Sequence, residues 1–169
     1  MQIIGLDISL TDTGISVFNT LTNISNTTHI NTSKNKHDDY ARKDMILTGI
    51  KNEVLRVPNS NIILEDYAFS RTMGKAFTRA EIVGVVKHYC RNVWKVPVYL
   101  VKPNVLKKYI VGAGGGATKK AGMKQAVYAR YGYLSDNDNC VDAFSLVEYG
   151  KAFLLHNEQL DSIKINPIM

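Results

Sequence analysis

The stretch MQIIGLDISLTDTGISVF, residues 1–18, is the one whose reading decides the fold. An apolar run ends in a single carboxylate, Asp7, and a second apolar run begins after a short polar turn. Burying a charged carboxylate costs several kcal/mol unless a partner meets it. Asp7 therefore either caps the SLTDTG turn or stands ready for a cation. Gln2–Ile8 reads as a strand, Gly14–Thr20 as a second and Asn23–Thr32 as a weaker third. The turn residues of LTDTG and NTLTN separate them, which predicts a three-stranded antiparallel meander.

Beyond the meander the pattern changes. Lys36–Val57 carries Tyr40, Ile46, Leu47, Ile50, Val54 and Leu55 at helical spacing and stops at Pro58. NIILED (61–66) is a short apolar strand. Gly74–Trp94 reads as one long helix with Phe77, Ala80, Val83, Val86, Cys90 and Val93 on one side. VPVYLV is a further strand, and KPNVLKKYI restarts as a helix with Pro103 in its first turn. A glycine-rich loop, VGAGGGA, precedes two helices near Thr118–Arg130 and Asn139–Leu155. The order βββ-α-β-α-β-α-α-α predicts an α/β fold: one mixed five-stranded sheet, antiparallel meander plus parallel strands, with helices on both faces. The strands starting at Gln2 and Asn61 are almost wholly apolar and belong side by side near its middle. Residues 1–169 read as a single domain, the last dozen or so forming an irregular tail.

The charge is unevenly spread. Of 21 Lys and Arg, 13 lie between Arg71 and Tyr131 with one acid, Glu81, giving +12 there and −6 over the remaining 108 residues. A basic half joined to an acidic one points to a polyanion, nucleic acid above all, although a solvated helical face produces the same count. No apolar run approaches the ~20 residues of a membrane span. The N-terminus has no basic, small-residue signal pattern, and Cys90 and Cys140 sit among apolar neighbours as reduced thiols would. Both features predict a cytoplasmic protein without disulfides.

The carboxylates carry the chemistry. If the strands ending in Asp7 and Glu65 lie parallel and adjacent, both acids meet at the carboxyl edge of the sheet, where α/β proteins place their sites. A third acid, Asp142, falls inside the apolar helix of DNCVDAFSL, and Asp138 lies one turn earlier on the same face. Crowded oxygen ligands suit Mg²⁺, with Mn²⁺ as substitute. Ordinary uses compete: Asp66 adjoins Glu65, and Asp136 or Asp138 would serve as a helix cap. Asp142 has the least structural reason to be where it is. Around this edge the basic residues Arg71, Lys75, Arg79, Lys102, Lys107, Lys108, Lys119, Lys120 and Lys124 would neutralise DNA phosphates. Tyr67 and Phe69 would stack on unpaired bases. Phe77 is placed with the core packing.

IIGLDISLTDTGISV, IILEDYAF, VKPNVLKKYIVGAGGGATKK and DNCVDAFSL, taken in order from about residue 2 to 155, resemble the RuvC-type Holliday junction resolvases, particularly the short phage-encoded ones. The resemblance implies a ribonuclease H-like fold, a homodimer and Mg²⁺-dependent cleavage of four-way DNA junctions. It also implies metal-ligand places for Asp7, Glu65 and Asp142, and a DNA contact for Lys119. One position departs from the family: three residues before the helix Asp stands Asn139, where an acid or histidine is common. Asp138 is therefore the expected fourth ligand. Other readings of the same residues are a nuclease for RNA–DNA hybrids or other branched DNA, a junction binder with little or no cleavage, and an ATP-binding protein of the actin and hexokinase type, for which 169 residues are few.

Overall fold

The protein is described here by a computed structural model, covering residues 1–33, 36–56, 59–66, 73–112 and 120–157, with the side chains of 73–76 and 120 left outside the description. Strands β1 (Gln2–Asp7), β2 (Asp12–Asn19) and β3 (Ile24–Asn31) form the meander. They are followed by helix α1 (Asp39–Val54), β4 (Ser60–Glu65), α2 (Met73–His88), β5 (Val98–Val101), α3 (Pro103–Val111), α4 (Lys120–Tyr131) and α5 (Asp138–His156). The five strands make one mixed sheet in the order β3-β2-β1-β4-β5, with β1–β4 and β4–β5 parallel. The expected parallel neighbours are adjacent at the centre. Tyr67, Phe69, Arg71, Lys119, the glycine-rich loop at 113–119 and the tail from 158 lie outside the described residues.

Strand alternation divides the core. Ile4, Leu6, Ile15, Ile62 and Leu64 face α1 and α2, meeting Ile46, Ile50, Ile82, Val83 and Val86. Ile3, Phe18 and Ile63 face α3, α4 and α5, meeting Leu106, Ile110, Val127, Phe144 and Val147. Both layers are fully closed off from water, and burying each such side chain is worth ~1.5–3 kcal/mol. The edge strand β3 is the polar one, with five of its eight positions open to solvent.

Three local expectations change. Helix α1 starts at Asp39 rather than Lys36, because Asp38 caps it by accepting from the Ala41 amide at 2.8 Å. Tyr40 and Leu55 face solvent, and Arg42 is buried in their stead. Its guanidinium donates to Leu10 O at 3.0 Å, to Thr32 Oγ1 at 3.1 Å and to Asp39 Oδ1 at 3.0 Å. A buried charge is tolerated here because each guanidinium nitrogen finds an oxygen, from the loop after β1, from the end of β3 or from the first turn of α1.

The helix expected over Gly74–Trp94 is α-helical only to His88. A π-helical turn, Tyr89–Val93, ends it, with Trp94 N donating to Tyr89 O at 2.8 Å. One extra residue in the turn rotates the following positions, so Val93 faces solvent while Cys90 is fully buried. Phe77 is also exposed, at 70%, rather than packed. Ile82, Val83 and Val86 are consumed by the chain's own core. Cys90 and Cys140 are free and buried, and burial pushes the Cys90 thiol up to about 12. Among the described residues no helix is long and apolar enough to cross a membrane.

Candidate active site

Asp7 ends β1 and Glu65 ends β4, and the parallel register pairs Leu6 with Leu64 immediately before them. The two carboxylates therefore stand side by side at the carboxyl edge, on the face that carries α5. Two glycines let α5 come down onto that face. A Cβ on Gly5 would lie 2.2 Å from Ala143 O, and one on Gly14, the cross-strand partner of Asp7, 2.0 Å from Asn139 O. The helix backbone thus rests on the sheet backbone, and Asp138 and Asp142 are delivered to the same edge. A cleft of about 300 Å³ results, lined by Asp7, Glu65, Asp138 and Asp142 together with Arg79, Lys107, Lys124 and Asn139. Pro103, Met123 and Val141 form its apolar wall.

Protein cations already stand among these acids. Arg79 Nη2 lies 3.0 Å from Asp7 Oδ1 and 2.5 Å from Glu65 Oε2. Burial pulls the Arg79 guanidinium down, but Glu65 and then Asp7 outweigh it and hold it above its ordinary value. Lys124 Nζ reaches Asp138 Oδ1 at 2.9 Å and Asp136 O at 2.6 Å. Of the residues expected to meet DNA, Arg79, Lys107 and Lys124 are in the cleft. Lys102 and Lys108 are exposed and do not line it.

A polar cluster missed in the sequence holds the start of α5. The N-cap is Asn137, whose Oδ1 accepts from Asn139 N at 2.8 Å and Cys140 N at 3.2 Å. Neither Asp136 nor Asp138 takes that place. Asn137 Nδ2 donates to Asp12 Oδ2 at 2.8 Å, while His29 Nδ1 meets Asp12 Oδ1 at 2.7 Å. Asn139 Nδ2 donates to the Asp12 carbonyl at 2.9 Å, which ties its side chain to β2. Burial raises the Asp12 carboxyl, but hydrogen bonds from His29, Asn137 and Asn139 and the charge of His29 outweigh it, leaving Asp12 below 3.8. The sequence signal was the density of Asp and Asn in SDNDN, residues 135–139; at the other end of the contact LTDTG offers Asp12 alone.

The four acids lining the cleft offer carboxylate oxygens, the set that suits Mg²⁺ or Mn²⁺. Two of the acids already share one guanidinium nitrogen and so converge within reach of a common cation. Among the described residues, no three acids, histidines or cysteines are drawn together as tightly as a metal would draw them. The donor set fits a divalent cation once Arg79 and Lys124 give way.

Comparison with solved structures identifies the architecture. Thermus thermophilus RuvC superposes with a TM-score of 0.73 at 18% identity, over 93% of this chain and 97% of that one. The same protein in complex with Holliday junction substrate gives 0.75 at 18% identity, over 98% and 99%. The fold is that of RuvC. The fowlpox virus Holliday junction resolvase is more distant, at 0.51 and 17% identity over 92% of this chain and all of that one. No family model and no curated protein matches the sequence. The mixed five-stranded α/β fold expected from the element order is the one observed, and the ribonuclease H-like fold that the resemblance implied is borne out by the likeness to RuvC.

Proposed function

We propose that this chain is a structure-selective endonuclease that resolves four-way DNA junctions by paired nicks, with Asp7, Glu65, Asp138 and Asp142 holding divalent metal. One observation carries the reading: four carboxylates from β1, β4 and α5 line a single cleft together with Arg79, Lys107 and Lys124. Metal held there supplies an activated water and charge for the leaving 3′-oxygen of a phosphodiester. The chain's own residues do the rest. Strand ends fix Asp7 and Glu65, and both side chains are nearly buried, at 9% and 12% exposed, so that little bulk water competes for their oxygens. Asp138 and Asp142 complete the set from one face of α5. Lys107 and Lys124 offer ammonium groups to the phosphates flanking the scissile bond, and exposed Lys102 and Lys108 extend the basic surface outward.

The fold shared with RuvC, itself observed in complex with Holliday junction substrate, favours a branched DNA over other polyanions. Resolution needs two symmetric nicks, and a homodimer presents two identical sites for them. The test is cleavage of a four-way junction, a plain duplex and an RNA–DNA hybrid, each with Mg²⁺ and with chelator. Paired nicks in the junction alone, and only with Mg²⁺, are expected. Cutting of the hybrid with the junction left intact would assign the cleft to another ribonuclease H-like reaction. A junction bound tightly and never cut would make the chain a binding protein.

A further inference from the structure

We infer that Arg79 is a displaceable stand-in for the metal, and that its departure from Asp7 and Glu65 sets how tightly the cleft takes a divalent cation. The inference rests on the reading of this cleft as a metal site. Three features of the contact carry it. First, a single nitrogen, Nη2, serves both carboxylates, and Arg79 Nε is buried with no hydrogen-bond partner. An arginine built as permanent architecture presents its planar fork with two parallel donors to one carboxylate. Here one corner of the guanidinium is used as a point charge, in the space between two acids, and an inner donor is left unsatisfied. Second, both carboxylates are nearly buried, so their charges need a cation at all times. A divalent ion brings two charges to that need, where the guanidinium brings one and leaves its Nε without a partner. Third, the side chain has a way out. Arg79 is 34% exposed and lines the cleft. Its helix is meanwhile anchored one and two turns on by Ile82, Val83 and Val86 in the core. The side chain can swing into the cleft without moving α2.

The consequence is a competition. When the binding-competent state is only a fraction of the population, apparent affinity falls by that fraction. An arginine seated in nine molecules of ten weakens metal binding about tenfold. Removing it takes away the cation that Asp7 and Glu65 share, which lowers stability in the absence of metal and raises the gain when metal arrives.

The experiment is calorimetric titration of Mn²⁺ into the DNA-free protein, wild type against Arg79→Met, with thermal melts of both in chelator and in saturating Mn²⁺. Binding about tenfold tighter in the variant is expected, with a lower melting temperature in chelator and a larger rise on Mn²⁺ addition. Mn²⁺ binding seen only in the variant supports the same conclusion. Wild-type binding with equal or weaker binding in the variant overturns the role of Arg79 and leaves the metal site standing. So does an equal drop in melting temperature with and without Mn²⁺, the mark of a merely structural arginine. Failure of both proteins to bind Mn²⁺ overturns the metal site and the inference together. Should Arg79→Met not fold, Arg79→Gln, which keeps an amide donor without the charge, is read by the same outcomes.

Discussion

Gly14→Ala puts the contact between α5 and the sheet to a direct test. Gly14 lies opposite Asp7 in the β1–β2 ladder, and the first turn of α5 passes directly over it. A methyl group there would meet Asn139 O at 2.0 Å, Asn139 C at 2.5 Å and Ala143 Cβ at 3.2 Å. The obstacle is helix backbone rather than a movable side chain, so α5 must retreat by about 1 Å to restore an ordinary contact. Overpacking of this kind costs about 1–3 kcal/mol, which for a chain of this size lowers Tm by roughly 2–12 °C. The same retreat stretches the 2.9 Å bond from Asn139 to the Asp12 carbonyl and carries Asp138 and Asp142 away from Asp7. A misplacement of about 1 Å is worth on the order of 100-fold in rate. Junction cleavage should therefore fall about 100-fold while junction binding, which draws on lysines of other elements, stays near wild type. Gly84→Ala is the control. It sits on the open face of α2 with nothing within 4 Å of an added Cβ, and should gain about 0.4–1 kcal/mol. If Gly14→Ala melts with Gly84→Ala and cuts at the wild-type rate, α5 does not rest on the sheet backbone as described.

Asp7→Asn should abolish cleavage and preserve junction binding, with Tm within a few degrees of wild type because Glu65 keeps its hold on Arg79; near-normal cleavage in Mg²⁺ would remove Asp7 from the metal site. Asp138→Asn should likewise stop cleavage while costing only ~0–1 kcal/mol, since its pair with Lys124 is part-exposed; full activity would exclude Asp138 as a ligand. Asn137→Ala should cost ~0.5–2 kcal/mol as a lost cap, read by chemical denaturation, and Asn137→Ser should recover most of it. The depressed Asp12 carboxyl stabilises the fold above its unfolded value near 3.8, and that contribution disappears as pH falls through the lower folded value. The acid limb of a plot of Tm against pH should accordingly be shallower in Asp12→Asn, and an unchanged acid limb would show that the Asp12–His29–Asn137 contact is not formed.

The sheet was legible because its information is local. QIIGLD and NIILED are apolar on both faces, which only a central strand tolerates, and the turn residues between β1 and β2 leave no room for a crossover. The meander turns β3 back to the direction of β1, and the crossover through α1 sets β4 parallel to both, so the strand-end acids of β1 and β4 meet at one edge. What the sequence concealed was direction. A basic stretch from 71 to 131 implies phosphate contacts on average, yet Arg79 and Lys124 are turned onto acids supplied by β1, β4 and the start of α5. Net charge per segment cannot reveal that, because the pairing partners are distant in the chain. The same holds for Val93, whose exposure follows from one π-helical residue that no apolar periodicity announces.

The start of α5 shows how much can hang on one position. Asp136, Asn137 and Asp138 are all competent caps, and each would start the helix at a different residue. A cap turns its own side chain back onto the first free backbone amides, as Asn137 does toward Asn139 N and Cys140 N. Were Asp138 the cap, its carboxylate would be spent on those amides and could not face the cleft. With Asn137 in that place, Asp138 becomes the first helical residue, one turn before Asp142 on the same face. The choice is made from outside the segment: Asp12 accepts the Asn137 amide nitrogen, so the asparagine oxygen must point at the helix. An aspartate at 137 has no N–H to give, and would set a second carboxylate against Asp12. Asparagine at 137 and aspartate at 138 are thus a matched pair, one neutral residue to bind β2 and start the helix, and one charged residue left for the cleft.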